Sequence, residues 1–156
     1  MTLQRYVSDL EEGDVFVPVR YILSSFVIRE YCHGNAEDYA GFHGPTAETG
    51  GVQVATPTLA HIEKIRLYKH NCPGGQGPKA RSHVEFFSTQ FAPIPAGTEL
   101  ITSGEVARRY TKRGRTYMEI RIEVRSALTD ELYTRYVDTT ILAYEKSDEN
   151  PENAHV

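Results

Sequence analysis

Four segments in the second half of the chain alternate between apolar and polar residues, which is the period of a strand with one buried face. They span 84–91, 99–110, 117–125 and 132–144. In the third segment, Met118 and Ile120 fall on one face while Glu119 and Arg121 fall on the other. Clusters of Pro, Gly, Asp and Lys separate the segments, as in turns. The pattern predicts four antiparallel strands paired as a meander in sequence order.

A short helix is predicted before these strands. Ser24 and Ser25 stand at an N-cap position, the segment 26–32 follows with helical spacing, and Gly34 is a stop signal. The residues 14–22 that precede the helix favour a strand, but they include a proline that cannot donate to a ladder. We interpret 14–22 as an irregular lead-in or an edge segment.

A second helix is predicted over 58–69, with Thr56 as N-cap and Pro57 at the first helical position. Its apolar residues form a face wide enough to be buried. They are Leu59, Ala60, Ile62, Ile65 and Leu67. Because this is the one long apolar helix available to the strands, we expect it to pack on one face of the sheet, giving a two-layer α+β domain.

Length and composition are those of one soluble domain, which we place at 1–146, followed by a polar, acidic, disordered tail at 147–156. The net charge of −4 disfavours nucleic acid and anionic membranes as partners. No apolar run is long enough to span a bilayer, and the first residues lack the pattern of a signal peptide, so the cytoplasm is the expected compartment.

Cysteines and histidines indicate no metal site and no metal cofactor. Cys32 and Cys72 lie on unrelated segments without CxxC spacing, so we expect thiols rather than a disulfide. The histidines at 33, 61, 70 and 83 show neither HxxxH nor HxH spacing. Residues 35–51, in contrast, form a polar, Gly-containing loop of unusual length for a compact domain, which favours a functional role.

Several segments resemble one family. They are 29–31 (Arg-Glu-Tyr), a polar Asn/Asp/Glu loop, Gly50-Gly51, 54–58 (Val-Ala-Thr-Pro-Thr) and 91–100 (Phe-Ala-Pro-Ile-Pro-Ala-Gly-Thr-Glu-Leu). Together they are similar to the MaoC-like dehydratases, which are related to the (R)-specific enoyl-CoA hydratases. The resemblance covers roughly residues 10 to 145. It implies a hotdog fold, in which an antiparallel sheet wraps around a central helix, and this agrees with the order of the predicted elements.

The resemblance also implies an activity. The protein would bind an acyl thioester of coenzyme A or acyl carrier protein as substrate, and would add or remove water across the α,β bond. No further cofactor is implied. It would be a homodimer, because members of this family commonly form a continuous sheet across a two-fold axis.

The family's catalytic loop typically reads Gly-Asp-x-Asn-Pro-x-His, and this chain departs from it. Alignment on Gly34 puts Asn35 and Ala40 at the Asp and His positions, which removes both catalytic groups. Alignment on the spacing instead selects Asp38 and His43. Loops tolerate such a slip, so we favour this second register.

Tyr39 is a further alternative, because a subset of the family has an aromatic residue at the His position. An Asp and a His that orient one water molecule can divide the roles of base and acid in hydration. The competing interpretation is that this loop only turns the chain.

Binding residues follow from the same resemblance. The developing enolate oxygen needs a fixed donor, and we place it at the start of the central helix, near Thr56 and Thr58, with Gly51 close by. Because Pro57 has no N–H, Thr58 is the better donor. Lys79 and Arg81, on the loop after the helix, are candidates for the phosphates of coenzyme A.

Two other functions stay open. A non-catalytic hotdog subunit that binds an acyl thioester, or that pairs with a catalytic partner, would explain the altered loop. An acyl-CoA thioesterase needs only a carboxylate and a helix N-terminus.

Overall fold

The computed structural model of this protein describes residues 5–75 and 82–142. In these ranges a five-stranded antiparallel sheet is combined with three α-helices. The strands are β1 (Val19–Ile22), β2 (Ser82–Gln90), β3 (Glu99–Lys112), β4 (Arg115–Ser126) and β5 (Leu132–Ile141). The helices are α1 (Ser25–Gly34), α2 (Ala40–His43) and α3 (Ala60–Asn71), with 3₁₀ turns at Val7–Asp9 and Pro57–Leu59.

The strand order in the sheet is β1-β3-β4-β5-β2. The meander of β3, β4 and β5 is confirmed, but the prediction that β2 also pairs with its successor is wrong. Strand β2 pairs with β5 instead, with Ser82 opposite Ile141 and Gln90 opposite Thr134. The reason lies in the link after β2, where backbone hydrogen bonds from Ala55 to Ile94 and from Ala96 to Gln53 carry the chain away from a tight hairpin.

The lead-in before α1 becomes the other edge of the sheet. Only Val19–Ile22 is regular, and it pairs with the start of β3, from Val19 opposite Thr102 to Ile22 opposite Glu99. Pro18 stands directly before this strand. The interpretation of 14–22 as an irregular lead-in or edge segment is therefore confirmed.

Helix α3 packs on one face of the sheet, so the α+β prediction of a sheet around a central helix is confirmed. Leu67 is fully buried in the same cluster as Met118 and Ile120 of β4. Helix and sheet approach closely at Gly104 of β3, where an added Cβ would lie 3.0 Å from Leu67 Cδ2. The opposite face of the sheet carries ion pairs such as Arg121 to Glu105 at 2.7 Å.

Two details of α3 differ from the prediction. The helix begins at Ala60 after the 3₁₀ turn, and the Thr56 hydroxyl lies 3.3 Å from the Thr58 hydroxyl, so within the described residues the predicted Thr56 side-chain cap is not formed. Ile65, predicted in the buried face, is 48% exposed, whereas Glu63 is only 2% exposed. The buried face is thus rotated relative to the apolar pattern.

The domain range 1–146 stays a prediction. The tail at 147–156 and the two phosphate-binding candidates, Lys79 and Arg81, lie outside the described residues.

Candidate active site

Helix α1 delivers the chain into the candidate loop. Its N-terminus is capped as predicted, because the Ser24 hydroxyl accepts a hydrogen bond from the Val27 N–H at 3.3 Å. Its end differs from the prediction: Gly34 is the last helical residue, and the left-handed conformation falls on Ala36, with φ of 54°. Asn35 closes the helix by donating from its side chain to the Tyr31 carbonyl at 2.8 Å. This alternative catalytic residue is therefore committed to the helix end.

Asp38 lies two residues before the short helix α2, and His43 is the last residue of that helix. Both residues are exposed. His43 Nε2 lies 2.7 Å from the Glu37 carbonyl oxygen. A carbonyl can only accept, so Nε2 carries the proton in this bond. In the neutral ring this leaves Nδ1 as an acceptor, which is the state that a general base requires.

Tyr39, the other alternative, is held by an acidic partner. Its hydroxyl donates to Glu48 Oε2 at 3.1 Å, and this hydrogen bond raises the pKa of the Tyr39 phenol above its usual range. The phenol therefore stays protonated at neutral pH and is suited to donate a hydrogen bond rather than to act as a base.

A groove with mainly apolar walls runs beside this loop. It consists of two adjoining cavities of about 370 Å³ and 510 Å³, which share Val54, Ala92 and Pro93. Phe42 lines the first cavity and Tyr39 the second. We call this feature the apolar groove. Its size is that of a small-molecule site, and among the catalytic candidates Tyr39 lies in its wall.

Hydrogen bonds to backbone carbonyls hold both walls of the apolar groove in place. Val54 donates its N–H to the Gly41 carbonyl at 3.0 Å, and Gln53 donates from its side chain to the Phe42 carbonyl at 2.6 Å. On the opposite wall, Phe91 donates its N–H to the Tyr133 carbonyl at 2.8 Å. The groove is thus built on fixed backbone.

Some of the N–H groups predicted to stabilise the enolate oxygen near the start of α3 already have hydrogen-bond partners. The Leu59 N–H is occupied by the Thr56 carbonyl, and the Gly51 N–H is occupied by the Thr46 carbonyl within the loop. Thr58 is exposed in the 3₁₀ turn, where a helix leaves its first N–H groups without intrahelical partners. Thr58 therefore remains the better donor of the three predicted residues.

Glu63 was missed by the sequence reasoning. It lines a small cavity of about 10 Å³ behind the start of α3, together with Thr56, Gln90 and Thr134. Burial raises the pKa of the Glu63 carboxyl, against the opposing effects of Arg66 and of a hydrogen bond from Thr102. A signal was present in the sequence, because Glu63 lies four residues from both Leu59 and Leu67 and so shares their buried face.

A second polar cluster joins α3 to β5 and β2. Asp138 is fully buried and accepts a hydrogen bond from the Tyr68 hydroxyl at 2.8 Å. Lys64 Nζ and His83 Nε2 lie 3.7 Å and 3.3 Å from its other oxygen. These contacts tie the edge strand β2 to the helix, since His83 belongs to β2.

His61 extends this cluster, with its Nδ1 at 3.1 Å from the Tyr136 hydroxyl. Burial, aided by the charge of Lys64, lowers the pKa of His61. The ring is therefore neutral at physiological pH and packs edge-on against Phe86 with 4.7 Å between ring centroids. The cluster thus forms polar contacts between helix α3 and strands β5 and β2 of the sheet.

The two cysteines lie in the hydrophobic core. Cys32 and Cys72 lie in different buried clusters, and burial raises the pKa of the Cys32 thiol. Across 5–75 and 82–142, no group of three or more His, Cys, Asp or Glu residues is arranged to hold a metal ion. Within the same ranges, the structure contains no helix with the length and apolar character needed to cross a membrane.

A larger hollow of about 690 Å³ lies on the outer face of the sheet. Its charged lining residues pair with one another, with Arg121 at 2.7 Å from Glu105 and Arg135 at 2.8 Å from Glu123. These pairs indicate a solvated sheet surface.

Comparison with solved structures identifies the fold. A MaoC-like dehydratase from Rhodospirillum rubrum is similar with a TM-score of 0.68 and 16% identity, covering 90% of this chain and 98% of that one. A (3R)-hydroxyacyl-ACP dehydratase complex from Mycobacterium tuberculosis is similar with a TM-score of 0.67 and 18% identity. The match covers 83% of this chain and 96% of that one. The (R)-hydratase of A. caviae is similar with a TM-score of 0.67 and 10% identity, covering 84% of this chain and 96% of that one. The chain has the hotdog fold.

In this hotdog fold, α3 is the central helix and the apolar groove lies at its N-terminal end. At these identities the likeness shows the fold alone. No protein-family model matches the sequence, and neither does any curated protein. Substrate and reaction are therefore argued below from the site.

Proposed function

We propose that this protein is an acyl-thioester hydratase or dehydratase. The observation that carries the proposal is the apolar groove, which leads from the candidate loop to the start of the central helix. Such a groove suits the acyl chain of an enoyl or 3-hydroxyacyl thioester of coenzyme A or acyl carrier protein. Supporting it, structures with the same fold are named hydratases and dehydratases.

In the proposed reaction, Asp38 and His43 orient one water molecule. In hydration, one of them takes a proton from the water as its oxygen bonds to the β carbon, and the other delivers a proton to the α carbon. The Thr58 N–H would stabilise the negative charge that develops on the thioester oxygen. Dehydration is the same path reversed. Lys79 and Arg81 remain the proposed contacts of the coenzyme A phosphates.

We also propose that the protein is a homodimer through β2. This strand has a partner on one side only within the described sheet, and its apolar side chains are exposed. Phe87 is 64% exposed, and Val84 and Phe86 are about half exposed. An unpaired edge that presents apolar residues is a template for pairing with a second copy.

The test is a hydration assay on the pure protein with enoyl-CoA thioesters of short and medium chain length. Loss of absorbance of the conjugated enoyl thioester and release of free thiol are followed together. The variants are Asp38→Asn and His43→Ala, which we expect to lower hydration about 10²- to 10⁴-fold each, as expected for an acid or base in proton transfer.

Matched controls are Asp130→Asn and His70→Ala, which change the same residue types at exposed positions away from the loop. Both should retain wild-type hydration. Hydration that survives Asp38→Asn and His43→Ala would keep the reaction class and discard these two residues. Absence of hydration with every substrate would contradict the proposal and favour a non-catalytic subunit.

A further inference from the structure

The two cavities of the apolar groove differ in their polar side chains. The cavity beside the start of α3 has a single polar residue, Gln90, among the described residues that line it. The other cavity, of about 510 Å³, has two carboxylates and two phenols in its walls, those of Glu48, Glu131, Tyr39 and Tyr133. We call it the tyrosine cavity. No Lys, Arg or His is among its described lining residues, so it carries negative charge without a cation of its own.

Neither carboxylate of the tyrosine cavity forms an ion pair within the described chain. Glu48 accepts a hydrogen bond from the Tyr39 hydroxyl at 3.1 Å, and a protonated phenol brings no charge. Glu131 is exposed in the turn between β4 and β5. Arg125, near the end of β4, is engaged by Glu123 at 2.9 Å. Both negative charges of the cavity are thus available to a ligand.

Tyr133 gives an independent indication that the tyrosine cavity receives a polar group. The residue is only 6% exposed and lines the cavity, yet across 5–75 and 82–142 its hydroxyl forms no hydrogen bond. The hydroxyl is not among the fully enclosed polar atoms, so it can be reached from the cavity. A tyrosine buried to this extent usually has a partner for its hydroxyl. A ligand in the cavity supplies that partner.

The candidate loop holds the Tyr39 ring in one position beside the tyrosine cavity. The ring packs edge-on against Phe42, with 4.9 Å between the ring centroids. At Gly41 an added Cβ would lie 2.5 Å from Tyr39 Cε1 and 2.6 Å from Thr49 Cγ2, so glycine leaves room for both side chains. Because the Tyr39 hydroxyl already donates to Glu48, its oxygen lone pair and the electron-rich ring are what it offers to a ligand.

The groups of the tyrosine cavity all attract a positively charged hydrogen-bond donor. Carboxylate and phenol oxygens accept hydrogen bonds, and aromatic rings attract cations to their faces. A carboxylate or phosphate group of a ligand would meet like charges. An uncharged hydroxyl group forms the hydrogen bonds but gains nothing from the charge. The chemistry of the cavity therefore favours an ammonium group.

We propose that the apolar groove binds an aliphatic chain that ends in an ammonium group, and that this ammonium group lies in the tyrosine cavity. The chain packs on the apolar residues that the two cavities share, which are Val54, Ala92 and Pro93. The ammonium group donates hydrogen bonds to the oxygens that lack a charged partner, those of Tyr133, Glu48 and Glu131.

This inference deepens the proposed function and rests on it for the other end of the chain. With a thioester at the start of α3, the ligand is an acyl thioester whose acyl chain carries an amino group at its far end. The two carboxylates repel the phosphates of coenzyme A, so the acyl chain rather than coenzyme A extends into the tyrosine cavity. Recognition of the ammonium group needs no thioester and is measured by itself.

Binding of simple amines tests the inference without a catalytic step. Isothermal titration calorimetry with butyl-, hexyl- and octylammonium is compared with the 1-alkanols and the carboxylates of the same chain lengths. We expect the best ammonium ligand to bind about tenfold more tightly than its alcohol, and the carboxylate to bind more weakly than the alcohol. Added salt should weaken binding of the ammonium ligand and leave that of the alcohol unchanged, because salt screens charges.

Two substitutions remove the proposed contacts with little change in shape. Glu131→Gln removes one charge at an exposed position, and Tyr133→Phe removes the hydroxyl and keeps the ring. Each should weaken binding of the ammonium ligand about three- to tenfold. Glu131→Gln should leave binding of the alcohol unchanged.

The matched controls make the same chemical changes elsewhere. Glu105→Gln lies on the outer face of the sheet, where Glu105 pairs with Arg121. Tyr117→Phe lies on β4 opposite Ile141, at the other end of β5 from Tyr133. Both variants should bind the ammonium ligand as the wild-type protein does. Urea unfolding verifies that every variant is folded.

Three results would overturn the inference: no binding of any ammonium ligand, equal affinities for ammonium ligands and alcohols, or an ammonium affinity that neither Glu131→Gln nor Tyr133→Phe lowers. None of them bears on hydration of enoyl-CoA thioesters, which is measured separately. Conversely, if the ammonium ligand binds as expected and no enoyl thioester is hydrated, the proposed function fails and the ammonium site stands.

Discussion

The Glu63 carboxyl is subject to opposing effects, of which burial is the largest. The charge of Arg66 and the hydrogen bond from Thr102 favour the ionised form, but the pKa is raised above its ordinary value of 4.5. Below 4.5 this carboxyl is protonated in both folded and unfolded chains. Its contribution to stability is therefore fully present there and is lost as the pH rises through the raised folded pKa.

This linkage makes a prediction for Glu63→Gln, which cannot titrate. Relative to the wild-type protein, the variant should gain stability as the pH rises from the acid side of 4.5 through the raised pKa. Urea unfolding at a series of pH values measures the difference in free energy. A difference that stays constant or falls with pH would contradict the assigned cause. Glu105→Gln, on the solvated face, is the control and should show no such rise.

The roles of individual residues in the site were predicted from the sequence less well than the fold. Asp38 and His43 were selected by the Asp-to-His spacing of the family's loop, and Tyr39 by the aromatic residue that a subset of the family has at the His position. Their catalytic roles stay predictions. Glu63 was passed over because an acidic residue in a helix is ordinarily solvent-facing. Its burial depends on how α3 is rotated on the sheet, which the apolar pattern misjudged at Ile65. The spacing of Glu63 from Leu59 and Leu67 was a signal for its burial. The apolar pattern as a whole did not fix the rotation of α3, which is set by packing at places such as Gly104.

At the scale of elements, the N-terminus of α1 is capped by one side-chain contact. The Ser24 hydroxyl accepts from the Val27 N–H, and this helix positions the loop that carries the catalytic candidates. Ser24→Ala should cost about 0.5 to 2 kcal/mol of unfolding free energy. The measurement is urea unfolding, with Ser25→Ala as the neighbouring control. Equal losses for the two variants would argue against a cap at Ser24.

The contact between α3 and β3 allows a sharper test. A Cβ at Gly104 would lie 2.9 Å from the Arg121 carbonyl oxygen, a backbone atom, and 3.0 Å from Leu67 Cδ2. Gly104→Ala should therefore force helix and sheet apart and destabilise the protein by about 1 to 3 kcal/mol. Chemical denaturation of Gly104→Ala beside Ser103→Ala tests this. A neutral Gly104→Ala would show that the approach is looser than described.

Strands were predicted better than their pairing. Alternation along β4 places Met118 and Ile120 inside and Arg121 outside, and a period of two specifies that much from sequence. The partner of β2 is not specified by any local pattern. It follows from hydrogen bonds between the 91–98 link and the residues before α3, such as Ala55 to Ile94. Such contacts between distant segments exist only once the chain has folded.

At the scale of the whole molecule, the exposed edge at β2 predicts self-association. Phe87→Glu places a charge where a second copy would pair, so we expect the homodimer to become a monomer. Sedimentation equilibrium measures the mass. Ile22→Glu is the matched control, since Ile22 is 60% exposed on β1 at the opposite edge of the sheet, and it should remain a dimer. A wild-type monomer, or a dimer unaffected by Phe87→Glu, would refute the proposed interface.

The place of β2 in the sheet also bears on synthesis. Within the described chain β2 pairs only with β5, and Ser82 meets Ile141, so the strand leaves the ribosome well before its partner exists. Until then Val84, Phe86 and Phe87 form an apolar stretch with nothing to pair with in the nascent chain. Such a stretch is a natural target for chaperones, and docking of β2 becomes a late folding step that requires a distant contact.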